Sequence, residues 1–162
     1  MKHNSKFVKT LFLLSTVITL DQVTKFLAYK SLFLKKQFIE INSFLSFTPV
    51  WNDGISFGML QNLGPPGRYF FTTVALCISF WLIWHSRKLP KVSAIGYILI
   101  AGGAIGNALD RIIHGKVIDF IDLYYLNWHW PTFNIADSFI FVGVVLFLYN
   151  ELFIIKGKKN EF

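Results

Sequence analysis

Four apolar runs, each close to the length that crosses a bilayer, leave this chain few folds to adopt. They cover approximately residues 8–28, 68–85, 92–109 and 135–155. A spanning helix needs roughly 20 predominantly apolar residues, and within hydrocarbon only helices and closed barrels satisfy every backbone polar group. The runs are continuous rather than alternating, so they predict four transmembrane helices in a mainly α membrane protein. Composition agrees, with 54% hydrophobic residues, 18 Phe and 5 Trp against 15% charge, which does not describe a water-soluble globule. Residues 1–162 are therefore read as a single integral membrane domain. The lone cysteine, Cys77, lies inside the second run, where it has no intrachain partner and reads as packing.

A basic start with Lys2, Lys6 and Lys9 before an apolar run also describes a secretory signal peptide. No small-residue cleavage site follows, and the run leads directly into Asp21-Gln22-Val23-Thr24-Lys25, so it is read as the first span. Asp21 and Lys25 are four apart and can pair on one helix face. Between the first two spans, residues 36–60 change to an alternating pattern broken by Asn42, Ser43 and Pro49, which predicts short strands and turns outside the bilayer. Trp51-Asn52-Asp53-Gly54 reads as a turn, and Gly64-Pro65-Pro66-Gly67 as a loop before the second span.

The formal charge of +7 would suit nucleic acid if it covered a soluble face, so its location matters. With four spans, the N-terminus, the loop around Arg87 and the C-terminus share one side. That side carries Lys2, Lys6, Lys9, Arg87, Lys88, Lys91, Lys156, Lys158 and Lys159 against Glu151 and Glu161, which is the whole net charge. The positive-inside rule then makes both termini cytoplasmic and puts the opposite, charge-balanced side outside. Nucleic-acid binding loses its main support.

The chemistry gathers on that opposite side. Asp110, Asp119, Asp122, Asn134 and Asp137 fall between or at the ends of the third and fourth spans. An ionisable group at the centre of a membrane helix costs about 2.5–3.5 kcal/mol on insertion scales and less near its ends, so such a cluster points to function. In the third span Gly102, Gly103 and Gly106 allow close helix approach, which would carry Asn107, Asp110 and Arg111 into the bundle interior. Residues 110–134 are read as an outer loop at the membrane surface, its Tyr124, Tyr125, Trp128 and Trp130 suited to the headgroup level. Asp119 sits on that loop and Asp137 in the first turn of the fourth span.

Two facing carboxylates cannot both ionise, so one holds a proton while the other activates water. Asp119 and Asp137 come from different elements, as such a pair requires. The alternative is a helix-start carboxylate beside a solvated loop acid. Gly54-Ile55-Ser56-Phe57-Gly58 matches a serine-hydrolase elbow, with His114 and His129 as candidate bases, but the chain has no room for the large α/β sheet that motif needs. His114, Asp119, Asp122 and Asp137 could in principle ligate a metal, yet they lack a recognisable ligand spacing. A cation-binding protein or small transporter is a further reading. Neither internal repeats nor helices broken near the midplane support it.

Five blocks carry a family resemblance: Asp21-Gln22-x-Thr24-Lys25; Asn52-x-Gly54 with Phe57-Gly58; Gly102-Gly103-x-x-Gly106-Asn107-x-x-Asp110-Arg111; Val117-Ile118-Asp119-Phe120; and Phe133-Asn134-x-Ala136-Asp137-Ser138. In this order they resemble lipoprotein signal peptidase, the type II signal peptidase of bacteria. The resemblance implies a four-helix inner-membrane aspartyl protease with an extracytoplasmic β-cradle and a membrane-surface loop or helix. It implies removal of signal peptides from prolipoproteins by cutting before the diacylglyceryl-modified cysteine. By the same resemblance Asp119 and Asp137 are the catalytic aspartates, and Asp21, Asn52, Gly54, Asn107, Arg111 and Asn134 bind substrate or support the site. The implied enzyme is a monomer in contact with membrane lipid, needs no cofactor or metal, binds no nucleic acid, and is blocked by the cyclic peptide globomycin. Where many members have Arg-Asn-x-Gly-Ala-Ala, this chain has Trp51-Asn52-Asp53-Gly54-Ile55-Ser56, so peptide or lipid contacts differ there.

Overall fold

The computed structural model describes residues 2–54 and 64–155. Its helices are α1 (Lys2–Ala28), α2 (Gly64–Ser86), α3 (Lys91–His114) and α4 (Ile135–Tyr149). Wider π-type turns extend α1 over Tyr29–Phe33 and α4 over Asn150–Ile155. Four helical segments, Lys6–Phe33, Pro65–Ser86, Lys91–His114 and Ile135–Leu152, are long and apolar enough to cross a membrane. Hydroxyl side chains inside them, including Thr16, Thr72 and Ser79, donate to carbonyls one turn back and so need no water.

α3 is the centre of the bundle. In its most apolar window 61% of residues are buried, against 22%, 22% and 17% in the other three spans. Its glycines explain why. A Cβ on Gly103 would collide with the backbone carbonyl of Ala136 on α4, and one on Gly106 would overlap the Asp21 carboxylate on α1. Gly102 faces Val17 of α1. The small-residue surface thus serves two neighbours at once, bringing α1 and α4 within reach of the polar end of α3.

Four strands form one antiparallel sheet in the order β1-β2-β3-β4: β1 (Ile39–Asn42), β2 (Leu45–Asn52), β3 (Val117–Tyr125) and β4 (Trp128–His129). Asn42 closes the β1–β2 turn by accepting from the Phe44 amide at 3.0 Å. The β2–β3 register is irregular between Phe47 and Val50, around Pro49, which has no amide to give the ladder. Beyond it Val50 pairs with Asp119 and Asn52 with Val117. Asn52 and Asp119 are therefore diagonal neighbours on one face. Ile118 and Phe120, on the alternate face, pack with Ala28 and Leu32 at the end of α1.

Two sequence expectations are corrected. Residues 110–134 are not a loop: α3 continues to His114, Gly115 caps it in the left-handed region at φ 81°, and Val117–Tyr125 is a central strand. Its near-continuous apolar, β-branched and aromatic run is what a strand buried on both faces requires. Reading Tyr124 and Tyr125 only as headgroup-level aromatics overlooked that preference. Likewise Gly64-Pro65-Pro66-Gly67 is the start of α2 rather than a loop, because the missing prolyl amides would have no helical partner in a first turn anyway. Ser56, Phe57 and Gly58, with the serine-hydrolase motif they belong to, lie outside the described residues.

Candidate active site

Asp137 is placed by a helix start. Asn134 is the N-cap of α4: its side-chain oxygen accepts from the Asp137 amide at 3.0 Å, while its own amide donates to Asp137 Oδ2 at 3.2 Å. This reciprocal capping box fixes the carboxylate at the positive end of the helix. The same Asn134 is fully buried, and its Nδ2 donates to Asp119 Oδ1 at 2.6 Å and to Asn107 Oδ1 at 3.1 Å. One side chain therefore holds both aspartates.

Each carboxylate receives a second amide. Asn52 Nδ2 donates to Asp119 Oδ2 at 2.9 Å, and Asn107 Nδ2 donates to Asp137 Oδ1 at 2.8 Å. Asp119 is only 1% exposed. Its pKa is pushed up to about 6 by burial and by the charge of Asp137, against which the Asn52 and Asn134 bonds work. A proton thus stays on the pair to a higher pH than on an isolated aspartate. Asp137 is half-buried, leaving the pair a side from which a reactant can approach.

Beneath the aspartates lies a buried ionic layer. Lys25, 1% exposed, reaches Asp21 Oδ2 and Asp110 Oδ2, both at 2.9 Å, and donates to Asn107 Oδ1 at 2.8 Å. Gln22 bridges the same two carboxylates at 3.1 Å each. Asp21 Oδ1 accepts from the Ala136 amide at 2.9 Å, beside Asp137, and Asp110 Oδ2 accepts from the Ile118 amide at 3.1 Å, beside Asp119. The ion pair anticipated between Asp21 and Lys25 is therefore one edge of a three-helix knot. Lys25 orients Asn107, and its two carboxylate partners hold the backbone next to each candidate catalytic residue.

The sequence offers Lys25 only as a partner for Asp21, carries Asp110 into the bundle interior without a partner for it, and singles out Gln22 only through the family blocks. The available signal was the 3.6-residue periodicity that puts Asp21 with Lys25 and Gly106 with Asp110 on shared helix faces. Arg111 is half-buried and donates to the Gly54 carbonyl at 3.1 Å, tying the end of α3 to the chain just past β2. Lys116 instead makes a half-exposed pair with Asp53 at 2.9 Å. The other candidates lie elsewhere. His114 stacks near Tyr29 and Trp51, while His129 contacts both oxygens of Asp122 at 3.0 Å, with Ser46 completing that cluster. Among the described residues no three His, Cys, Asp or Glu side chains converge as metal ligands do.

Residues 13–153 match the family described as Signal peptidase (SPase) II. The chain belongs to the signal peptidase II family. It is 39% identical to the lipoprotein signal peptidase of Alteromonas mediterranea over 157 residues, 95% of this chain and 85% of that one. Identity to the lipoprotein signal peptidase of Thermodesulfovibrio yellowstonii is 43% over 148 residues, 91% and 97% of the two chains. A bacterial membrane enzyme solved by the in meso method at 1.9 Å is 29% identical, with a TM-score of 0.76 over 90% of this chain and 93% of that one. A signal peptidase II is an aspartic-type peptidase, and the amide-held pair Asp119–Asp137 is the arrangement here that fits such chemistry.

Proposed function

We propose that Asp119 and Asp137 form the catalytic dyad of this signal peptidase II and that it cuts prolipoproteins immediately before the diacylglyceryl-modified cysteine. The observation that carries the assignment is Asn134, whose side chain donates to the Asp119 carboxylate while its backbone amide donates to the Asp137 carboxylate, with burial and Asp137 pushing the Asp119 pKa up to about 6. One carboxylate takes a proton from water as that water attacks the scissile carbonyl. The other gives its proton to the carbonyl oxygen. The first, now protonated, passes the water's proton to the leaving amine while the second takes a proton back from the gem-diol, which restores the starting pair.

Asn52 holds one oxygen of Asp119 and Asn107 one oxygen of Asp137, and Arg111 ties the end of α3 to the Gly54 carbonyl just past β2. Asp21 acts through the Ala136 amide on the start of α4. With both termini cytoplasmic the dyad lies at the outer face, where a lipid-anchored precursor already presents its cleavage site. Confinement to the bilayer supplies part of the proximity effect. A globomycin-type cyclic peptide would inhibit by occupying the dyad, and the enzyme works as a monomer.

The test is cleavage of one precursor in two forms, with and without the diacylglyceryl group, by purified full-length protein in detergent. We expect the modified form to be cut at least about tenfold faster and Ser56→Ala and chelator to leave the rate unchanged, a tenfold ratio being about 1.4 kcal/mol of barrier. Equal rates for the two forms would remove lipid recognition from the account. Loss of cutting in Ser56→Ala or with chelator would overturn the dyad assignment.

A further inference from the structure

The end of the bundle remote from the dyad carries a second concentration of charge that the peptidase chemistry does not use. Lys6 and Asp21 lie on the same helix fifteen residues apart, roughly 22 Å along the axis. At that end Lys6 Nζ donates to the Arg87 carbonyl at 2.9 Å, joining the start of α1 to the turn between α2 and α3. The Arg87 guanidinium sits 5.6 Å from the ring centres of both Phe7 and Trp84. Lys9, two residues beyond Phe7, and Lys88 and Lys91, which follow Arg87 in the chain, are exposed. Among the described residues no carboxylate forms an ion pair with any of these five cations, and the first turn of α3 contains no acidic residue.

Trp84 and Phe7 are about half exposed, at 56% and 46%, and both close an apolar run. Aromatic rings in that position belong at the boundary between acyl chains and headgroups. The rings therefore set the depth of Arg87, and Lys6 fixes the loop that carries it. Such a cation, planar, aromatic-flanked and without an ion-paired carboxylate among the described residues, suits the phosphodiester of a lipid whose own headgroup adds no positive charge.

We propose that Arg87 and Lys6, flanked by Phe7 and Trp84, form a seat for the headgroup of an anionic phospholipid. Lys88 and Lys91 enlarge its positive field. The seat binds lipid as a component of the surrounding leaflet, independently of the peptidase reaction at the other end.

Native mass spectrometry of the full-length protein in detergent, titrated separately with phosphatidylglycerol and phosphatidylcholine, tests this. Wild type is expected to retain phosphatidylglycerol at least about fivefold better than phosphatidylcholine, with Arg87→Gln and Lys6→Gln each reducing that preference by about fivefold. Precursor cleavage in detergent by the same variants reports that the bundle is intact and is expected to be unchanged. Lys35→Gln/Lys36→Gln, which removes two exposed cations on the segment between α1 and β1, should keep the lipid preference. Equal retention of the two lipids by wild type, an unchanged preference in intact Arg87→Gln, or an equal loss in the Lys35/Lys36 control would overturn the seat.

Discussion

Asp119→Asn and Asp137→Asn are each expected to lower the rate of precursor cleavage by about 1000-fold or more, because each removes one of the two groups that exchange a proton with water and with the leaving amine. Hydrogen-bonding geometry sharpens the expectation. Both oxygens of Asp119 accept from amide groups, of Asn52 and Asn134, and both oxygens of Asp137 accept from nitrogen donors of Asn107 and Asn134. An introduced carboxamide turns its own NH2 toward one of those donors, at a cost of about 1–3 kcal/mol for the interaction left unmade. Some loss of thermal stability should therefore accompany the loss of turnover, so a melting curve is recorded for each variant. A folded variant of either kind with more than about a tenth of wild-type activity would exclude that aspartate from the chemistry.

The largest effect on stability is expected from Lys25→Met. Lys25 is the only cation in contact with Asp21 and Asp110 among the described residues, and all three side chains are almost wholly buried. Removing one member of a buried ionic group leaves uncompensated charge and costs about 3–5 kcal/mol. The same change withdraws the donor that orients Asn107, so Asp137 loses its fixed partner and cleavage falls as well. If charge imbalance is the cause, Lys25→Met combined with Asp21→Asn and Asp110→Asn should recover part of the lost thermal stability. A Lys25→Met protein that melts with wild type would show that the knot is not what holds α1, α3 and α4 together at this end.

The parts of this molecule legible in its sequence are those fixed by local chemistry. Span positions follow from the limit on polar groups in hydrocarbon, and each of the four apolar runs lies on one of the four long helical segments. Asp137 could be placed in the first turn of the fourth span from the apolar run alone, whereas Asn134 took its site role only from the family blocks and its capping of that helix was not anticipated. The knot was less legible: Lys25 and Asp110 are 85 positions apart, and only the close approach of α1 at Gly106 brings them together. The β3 strand was missed because its aromatic residues satisfy two physical preferences, a pleated sheet and a membrane interface, and chain order alone did not reveal β2 as its partner. Asn52 shows the same dependence, since its bond to Asp119 exists only in the register that pairs Asn52 with Val117.

The most direct measurement of the coupled pair is the titration of the Asp119 side-chain carboxyl by carbon NMR, in wild type and in Asp137→Asn. Burial and the neighbouring charge together put the wild-type midpoint at about 6. Removing the Asp137 charge takes away one of the two causes that raise it, so the midpoint in Asp137→Asn should move down while staying above that of a solvated aspartate. A wild-type midpoint in the ordinary carboxylate range, or one that Asp137→Asn leaves in place, would mean that the two aspartates do not act as one site.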